Sequence, residues 1–278
     1  MKQYPAVPRP DEAPPDLFAS GHLWLQEQIA GLHLRFRLRE SGLLQFGDRT
    51  RTFDADEIPL PYGHAVRHVR ESLDREALRN SVADPSSVVF FGEATVRRAV
   101  EYDWSRTPAV LGFDVWDATE ERFLPPDSVE RIFDHLGLHA VNTFEKEVRA
   151  VDFDPQSYDL PASAWYDGPA AGVVVRNKTG QRATIRRPDA RAAGEDADPA
   201  TAPADELAER YVTRQRVERI AADLDAAGRS TGFDDVFDRL IEAIAREEHQ
   251  RLFHERASVD LRAFRSAAAE RTQELLNG

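Results

Sequence analysis

Between Asp189 and Asp205 the 278-residue chain is Asp, Ala, Gly, Pro and Thr with little else, and the hydrophobic pattern changes across that stretch. Such a run cannot bury a face, so it reads as a linker. Before it, apolar residues come in short strand-like runs. After it, they recur at helical spacing. The chain is therefore expected to hold a strand-rich α+β unit over 20–188, a linker over 189–205 and a small all-α unit over 206–278. Residues 1–19 are Pro-rich and predict an extended segment. No internal repeat is found.

Strict alternation over His33-Leu34-Arg35-Phe36-Arg37-Leu38-Arg39 predicts a half-buried strand. Gly42 turns it back into Leu43-Leu44-Gln45-Phe46. Val66, Val69, Leu73 and Leu78 share one helical face and predict a helix across 64–79. Val88-Val89-Phe90-Phe91 and the run 110–116 predict strands buried on both faces. Asp127 and Ser128 are placed to cap a helix over Val129–Leu136. Runs 172–177 and 183–186, joined by Lys178-Thr179-Gly180, predict a second hairpin. Beyond the linker, one helix is expected over Leu207–Ala227 and stopped by Gly228. A second is expected from Thr231, and a third from Ser258 to Leu276.

Composition removes several kinds of chemistry. Without cysteine there is no disulfide, thiolate metal site or Cys nucleophile. A net charge of −13 excludes a simple basic clamp on nucleic acid. A polyanion would need a local cleft, for which Arg35, Arg49, Arg97, Arg98, Arg176, Arg186 and Arg187 are the candidates. The basic residues number 36, and only Lys2, Lys146 and Lys178 are lysine. Acidic excess with almost no lysine suits a halophile's salty cytoplasm, where salt screens carboxylate repulsion. No apolar run is long enough for a membrane span. His249 and His254 are five apart and do not share a helical face, there is no Gly-rich phosphate loop, and no Gly-x-Ser-x-Gly elbow occurs.

What remains is a series of polar residues at strand ends: Glu27, Arg35, Arg49, Glu93, Asp114, Arg176 and Arg186. Carboxylates and arginines converging on a sheet suit a nucleotide with a divalent ion. Their order, over about residues 20–190, resembles the nucleotidyltransferase domain of ATP-dependent RNA ligases, the group that shares a fold with DNA ligases and mRNA capping enzymes. Glu27-Gln28-Ile29-Ala30-Gly31 stands where that family has Glu-Lys-x-Asp-Gly, and Phe46-Gly47-Asp48-Arg49 stands at its Gly-x-x-Arg turn. Phe91-Gly92-Glu93 matches Phe-Gly-Glu, and Leu111 to Trp116 matches the aromatic strand. Ala171-Gly172-Val173-Val174-Val175-Arg176-Asn177 matches Glu-Gly-Val-Val-x-[Lys/Arg]-Asn, and Ala183-Thr184-Ile185-Arg186 matches a final Lys-containing strand.

The resemblance implies ATP and Mg²⁺ as cofactors and RNA ends as substrate. In the family a lysine attacks the α-phosphate of ATP, AMP passes to an RNA 5′-phosphate, and a 3′-OH displaces it. It also implies a nucleotide site at Glu27, Gly31, Arg35, Arg49, Glu93, Phe113, Gly172, Val173, Arg176 and Arg186, with Phe113 stacking on adenine and Glu93 the remaining candidate for metal. This chain departs at four places. Gln28 stands at the nucleophile, Ala30 at the following Asp, Ala171 at the metal-binding Glu and Thr184 at the last Lys. An amide nitrogen is not basic and cannot replace an amine.

Three readings stay open: a ligase relative without lysine adenylylation that retains nucleotide or RNA-end binding; a working ligase that uses Lys146, Lys178 or pre-adenylated RNA; and an interaction module whose C-terminal helices dock a protein partner.

Overall fold

The computed structural model describes residues 1–55, 57–187 and 198–277. The chain divides into two compact units, residues 1–193 and 194–278.

In the first unit the alternation at 32–38 works as expected. β2 (Leu32–Leu38) turns Leu34, Phe36 and Leu38 into one core and His33, Arg35 and Arg37 to the opposite face. It pairs antiparallel with β3 (Leu44–Gly47) and β4 (Val88–Ala94). β4 pairs with β5 (Val110–Asp117), and β5 with the short β6 (Arg122–Phe123), giving a five-stranded sheet in the order β3-β2-β4-β5-β6. Its apolar face is covered by helices α2 (Gly63–Ser72), α3 (Arg75–Ser81) and α4 (Pro126–His135). Val66, Val69, Leu78, Val129 and Phe133 pack there on Phe36, Phe90 and Val115. The phenyl rings of Phe36 and Phe90 stack at 5.0 Å.

The second sheet has the order β7-β1-β8-β9 and is antiparallel throughout. It is built from β1 (His22–Glu27), β7 (Thr143–Arg149), β8 (Gly172–Asn177) and β9 (Arg182–Arg186). Leu23, Leu25, Val173, Val175 and Ala183 form its core with Leu17 from the short α1 (Asp16–Ala19).

Several boundaries differ from the sequence reading. The helix expected over 64–79 is two helices, because Asp74 accepts the amides of Glu76 and Ala77 and starts a new one. Helix α4 begins at Pro126 rather than Val129, since proline tolerates the first helical turn, where its missing N–H is no loss. Strands β1 and β7 were not foreseen. β1 is buried on both faces and shows no alternation. β7 is an exposed edge broken by a left-handed Glu147 at φ +58°. Residues 1–8 are not a loose tail, because Tyr4 is buried between the two sheets.

Residues 189–197 of the expected linker lie outside the described residues. In its remaining part Ala200 is buried and its backbone bonds to Arg251 and Ser258. The second unit is α5 (Ala204–Tyr211), α6 (Arg214–Ala226), α7 (Phe233–Glu247), α8 (His249–Leu252) and α9 (Leu261–Asn277). The single helix expected over 207–227 is split, because Thr213 caps α6 through the amide of Arg216. Gly228, at φ +65°, follows the end of α6 as the left-handed residue that glycine supplies cheaply. Asp260, not Ser258, caps α9. The core of this unit is Leu207, Tyr211, Val217, Ile220, Leu224, Val236, Leu240, Ile244 and Phe264.

Candidate functional site

The site grows from the faces the two sheets turn toward each other. On the five-stranded sheet these carry His33, Arg35, Phe91, Glu93 and Phe113. On the four-stranded sheet they carry Gln28, Thr184 and Arg176. One carboxylate joins the two sheets. Asp114 is fully buried and accepts Arg176 Nη2 at 3.1 Å and Arg182 Nη1 at 2.6 Å. Arg176 also donates to the carbonyls of Phe113 (2.9 Å) and Leu124 (3.2 Å). Two cations around one buried anion satisfy that anion's lone pairs, which is the condition under which a buried charge persists.

The positions that matter for adenylylation lie together and carry no charge. Gln28 continues β1 by donating its amide N–H to Gly172 O at 3.0 Å. Its side-chain Oε1 accepts Thr184 Oγ1 at 2.7 Å. So Gln28 and Thr184, which the sequence resemblance sets at the family's first and last lysines, touch each other. Gly172 beneath them has no room for a side chain: a Cβ there would lie 2.6 Å from Gln28 Oε1 and 2.6 Å from Ile185 O. Ala30 and Ala171 sit in an apolar cluster with Ile29, Tyr102, Leu111, Phe113 and Trp165. The Tyr102 hydroxyl accepts the Ala30 amide at 2.7 Å. Hydrocarbon and aromatic rings occupy the neighbourhood where the family's pattern has two carboxylates.

Glu27 is buried and its carboxylate is fully engaged. It accepts Ser163 Oγ at 2.5 Å, Asn142 Nδ2 at 3.2 Å and Ala164 N at 3.2 Å. Burial raises its pKa, opposed by those three hydrogen bonds. Glu93 faces His33 with 3.9 Å between Oε1 and Nδ1. Burial pushes the Glu93 carboxyl up to about 8, against the pull of Arg49 and Arg98. Burial, with Arg49 and Arg35 nearby, lowers His33 to about 4. Neither ring nitrogen of His33 has a hydrogen-bond partner. Burial thus favours the uncharged form of both groups in this corner.

Arg35 is buried, and its Nη1 donates to the carbonyls of Met1 (2.9 Å) and Lys2 (2.7 Å). Phe113 is half-buried and meets the Tyr4 ring edge-on at 5.0 Å. Val173 faces the core under its own sheet, away from the cleft. Arg49 and Arg186 are exposed. Gly31 has Glu93 Cβ and the carbonyl of Ala94 against its Cα, which no larger residue would permit. Of the arginines considered for a phosphate groove, Arg35 and Arg176 are used internally, Arg97 pairs with Glu101 and Arg187 bonds to Tyr166 and Pro169.

The Ala30 and Ala171 side chains offer no oxygen to Mg²⁺. Among the described residues no group of three or more His, Asp and Glu is placed to hold a metal ion. Glu93 is a single carboxyl with two arginines nearby. The alternative lysines are elsewhere. Lys146 pairs with Glu130 at 2.5 Å. Lys178 pairs with Glu147 at 2.9 Å, at the far end of β8 from Gly172, about 20 Å at roughly 3.3 Å per residue.

Sequence reasoning missed Tyr4, His33 and Arg182. A lone tyrosine in a Pro-rich run gives no signal. The charged residues inside apolar runs, Arg35 and Asp114, were the signal that something buried must pair with them.

Two antiparallel sheets joined through Asp114, with a run of helices after them, define a ligase-like nucleotidyltransferase domain with a helical extension. The RNA ligase family profile matches residues 23–191, and the chain belongs to that family. Among solved structures, a Naegleria gruberi RNA ligase with pyrophosphate aligns with TM-score 0.54 at 11% identity, covering 71% of this chain and 59% of that one. A mutant of the same ligase with AMP and Mn gives TM-score 0.52 at 13% identity over the same shares. An archaeal ATP-dependent RNA ligase aligns over 100% of this chain and 66% of its own, with TM-score 0.48 at 15% identity. This chain thus spans somewhat under two thirds of the length of those ligases. No curated protein sequence matches it. Among the described residues no helix is long and apolar enough to cross a membrane.

Proposed function

We propose that this protein is an RNA-ligase relative that does not form a lysyl-AMP, and that it uses its cleft for binding rather than for ATP-driven sealing. The observation that carries this reading is the Gln28–Thr184 hydrogen bond, at 2.7 Å, between the residues at the two lysine positions. An amide there is no nucleophile, and a hydroxyl carries no positive charge for a departing phosphate. The apolar surroundings of Ala30 and Ala171 point the same way, since an alanine methyl offers no oxygen to a cation that would draw charge from a triphosphate. Within this reading the binding partner is a nucleotide or an RNA end, met through Phe113 and the exposed Arg49 and Arg186. The acidic, lysine-poor composition suits a salty cytoplasm, which belongs to the same proposal.

A second reading is that the protein seals RNA already carrying a 5′-adenylate. It is favoured by Glu93 and Phe113, which keep their places on the cleft face, and it needs no attack on ATP. One sealing assay separates the two. With 5′-phosphorylated RNA, ATP and Mg²⁺, no product is expected, and joined RNA there would overturn the first reading. Joined product from pre-adenylated RNA alone would establish the second.

A further inference from the structure

Residues 1–8 run through the part of the cleft where Arg35 and Phe113 stand. The carbonyl of Pro8 accepts the Thr184 amide at 2.9 Å on the outer edge of β9. Tyr4 then enters between the sheets. Its hydroxyl donates to Asp114 Oδ2 at 2.9 Å and receives Arg182 Nη1. Its ring lies within 5.0–5.8 Å of His33, Phe91, Phe113 and Phe123. Further on, the carbonyls of Lys2 and Met1 take both hydrogen bonds made by Arg35 Nη1, and the Lys2 ammonium sits 3.8 Å over the Trp116 ring. The Met1 side chain lies against Gly47.

We propose that residues 1–8 are an intrachain occupant of the cleft that competes with a nucleotide for Arg35 and Phe113 and must leave before one binds. The proposal rests on the reading of the cleft as a nucleotide site with Phe113 on its wall, and adds Arg35 to that site once its two carbonyl partners have left. A guanidinium nitrogen that already serves two carbonyls is not free for a phosphate. An aromatic ring met edge-on by a tyrosine is not free on that side for a base. Tethering makes the competitor strong, because an attached segment acts at an effective concentration on the order of millimolar. The occupant is also releasable. Tyr4 is the only buried residue among the first ten, and the segment contributes no strand or helix before Pro10. Pro5 and Pro8 lack the N–H groups a further strand would need. Tyr4 is the deepest anchor, and the other contacts are made by backbone carbonyls and by side chains that stay partly exposed.

The test uses AMP without metal and isothermal titration calorimetry on the full chain, on Tyr4→Ala and on Tyr4→Phe. Tyr4→Ala is expected to bind AMP at least tenfold more tightly than the parent, with Tyr4→Phe between them. A synthetic peptide of residues 1–8 is expected to displace AMP from Tyr4→Ala. Equal affinity in parent and Tyr4→Ala overturns the competition and leaves the nucleotide-site reading standing. No AMP binding by a Tyr4→Ala protein that keeps its parent circular dichroism overturns both. Should Tyr4→Ala fail to fold, hydrogen exchange on the parent decides: saturating AMP must speed exchange of the Thr184 amide, and unchanged exchange overturns the proposal.

Discussion

Replacing Asp114 by asparagine removes the one negative charge that two buried arginines share. Asp114 is 0% exposed, with Arg176 and Arg182 almost as deeply buried. The substitution keeps the size and an acceptor oxygen, so packing changes little. What remains is two uncompensated guanidinium charges. Breaking a buried pair this way costs about 3–5 kcal/mol. That is a large share of the roughly 5–15 kcal/mol by which a domain of this kind is stable. In urea, with a slope of about 2–3 kcal/mol per molar, the midpoint of the strand-rich unit should fall by about 1–2.5 M at an unchanged slope. The assay is urea unfolding followed by tryptophan fluorescence. A companion, Asp114→Leu with Arg176→Met and Arg182→Met, removes all three charges and should regain most of the loss, since apolar replacement of a whole buried cluster is tolerated. A midpoint shift below about 0.3 M for Asp114→Asn would refute the view that this carboxylate ties the two sheets together.

The pH dependence follows from the Glu93–His33 corner. Glu93 ionises near its ordinary value when unfolded but at about 8 when folded, so its presence costs stability increasingly as pH rises from about 4.5 to 8. His33, lowered to about 4, costs stability as pH falls from about 6.5 to 4. The two effects oppose each other between about 4.5 and 6.5. Above that, Glu93→Gln should gain on the parent with rising pH up to about 8, and a pH-independent difference in urea midpoint would contradict the assignment. Phe36→Ala removes a fully buried ring stacked on Phe90 and should lose about 3–5 kcal/mol in the same unfolding assay. Thr213→Ala removes the cap of α6 and should lower the stability of the helical unit by about 1 kcal/mol, read by thermal circular dichroism.

Much of the framework is visible in the sequence, because period two and period 3.6 leave different marks. The hairpin through Arg35 and Phe46, the buried β4 and β5 and the β8–β9 hairpin are all legible. β1 is hidden by being buried on both faces, and β7 by being a polar edge. Helix breaks at Asp74 and Thr213 are local capping events inside an otherwise continuous apolar stripe, so a stripe alone overlooks them. The candidate site is legible as an order of residue types, and the uncharged positions at Gln28, Ala30, Ala171 and Thr184 can be read directly. Their consequences are tertiary. The Gln28–Thr184 hydrogen bond spans 156 residues of chain, the Arg182–Asp114 pair spans 68, and the Tyr4 hydroxyl reaches Asp114 across 110. No local pattern encodes such pairings. For the same reason Arg35 and Arg176, expected to face a nucleotide, turn out to bond to the chain's own carbonyls and to Asp114.

On the proposed function, the chain does not transfer AMP to itself. Intact-protein mass spectrometry after incubation with ATP and Mg²⁺ in molar KCl tests it most directly. The parent is compared with a variant carrying Gln28→Lys, Ala30→Asp, Ala171→Glu and Thr184→Lys. An unchanged parent mass is expected, with an added AMP on the fourfold variant alone. An AMP adduct on the parent would contradict it and direct attention to Lys2, Lys146 or Lys178 as the bearer.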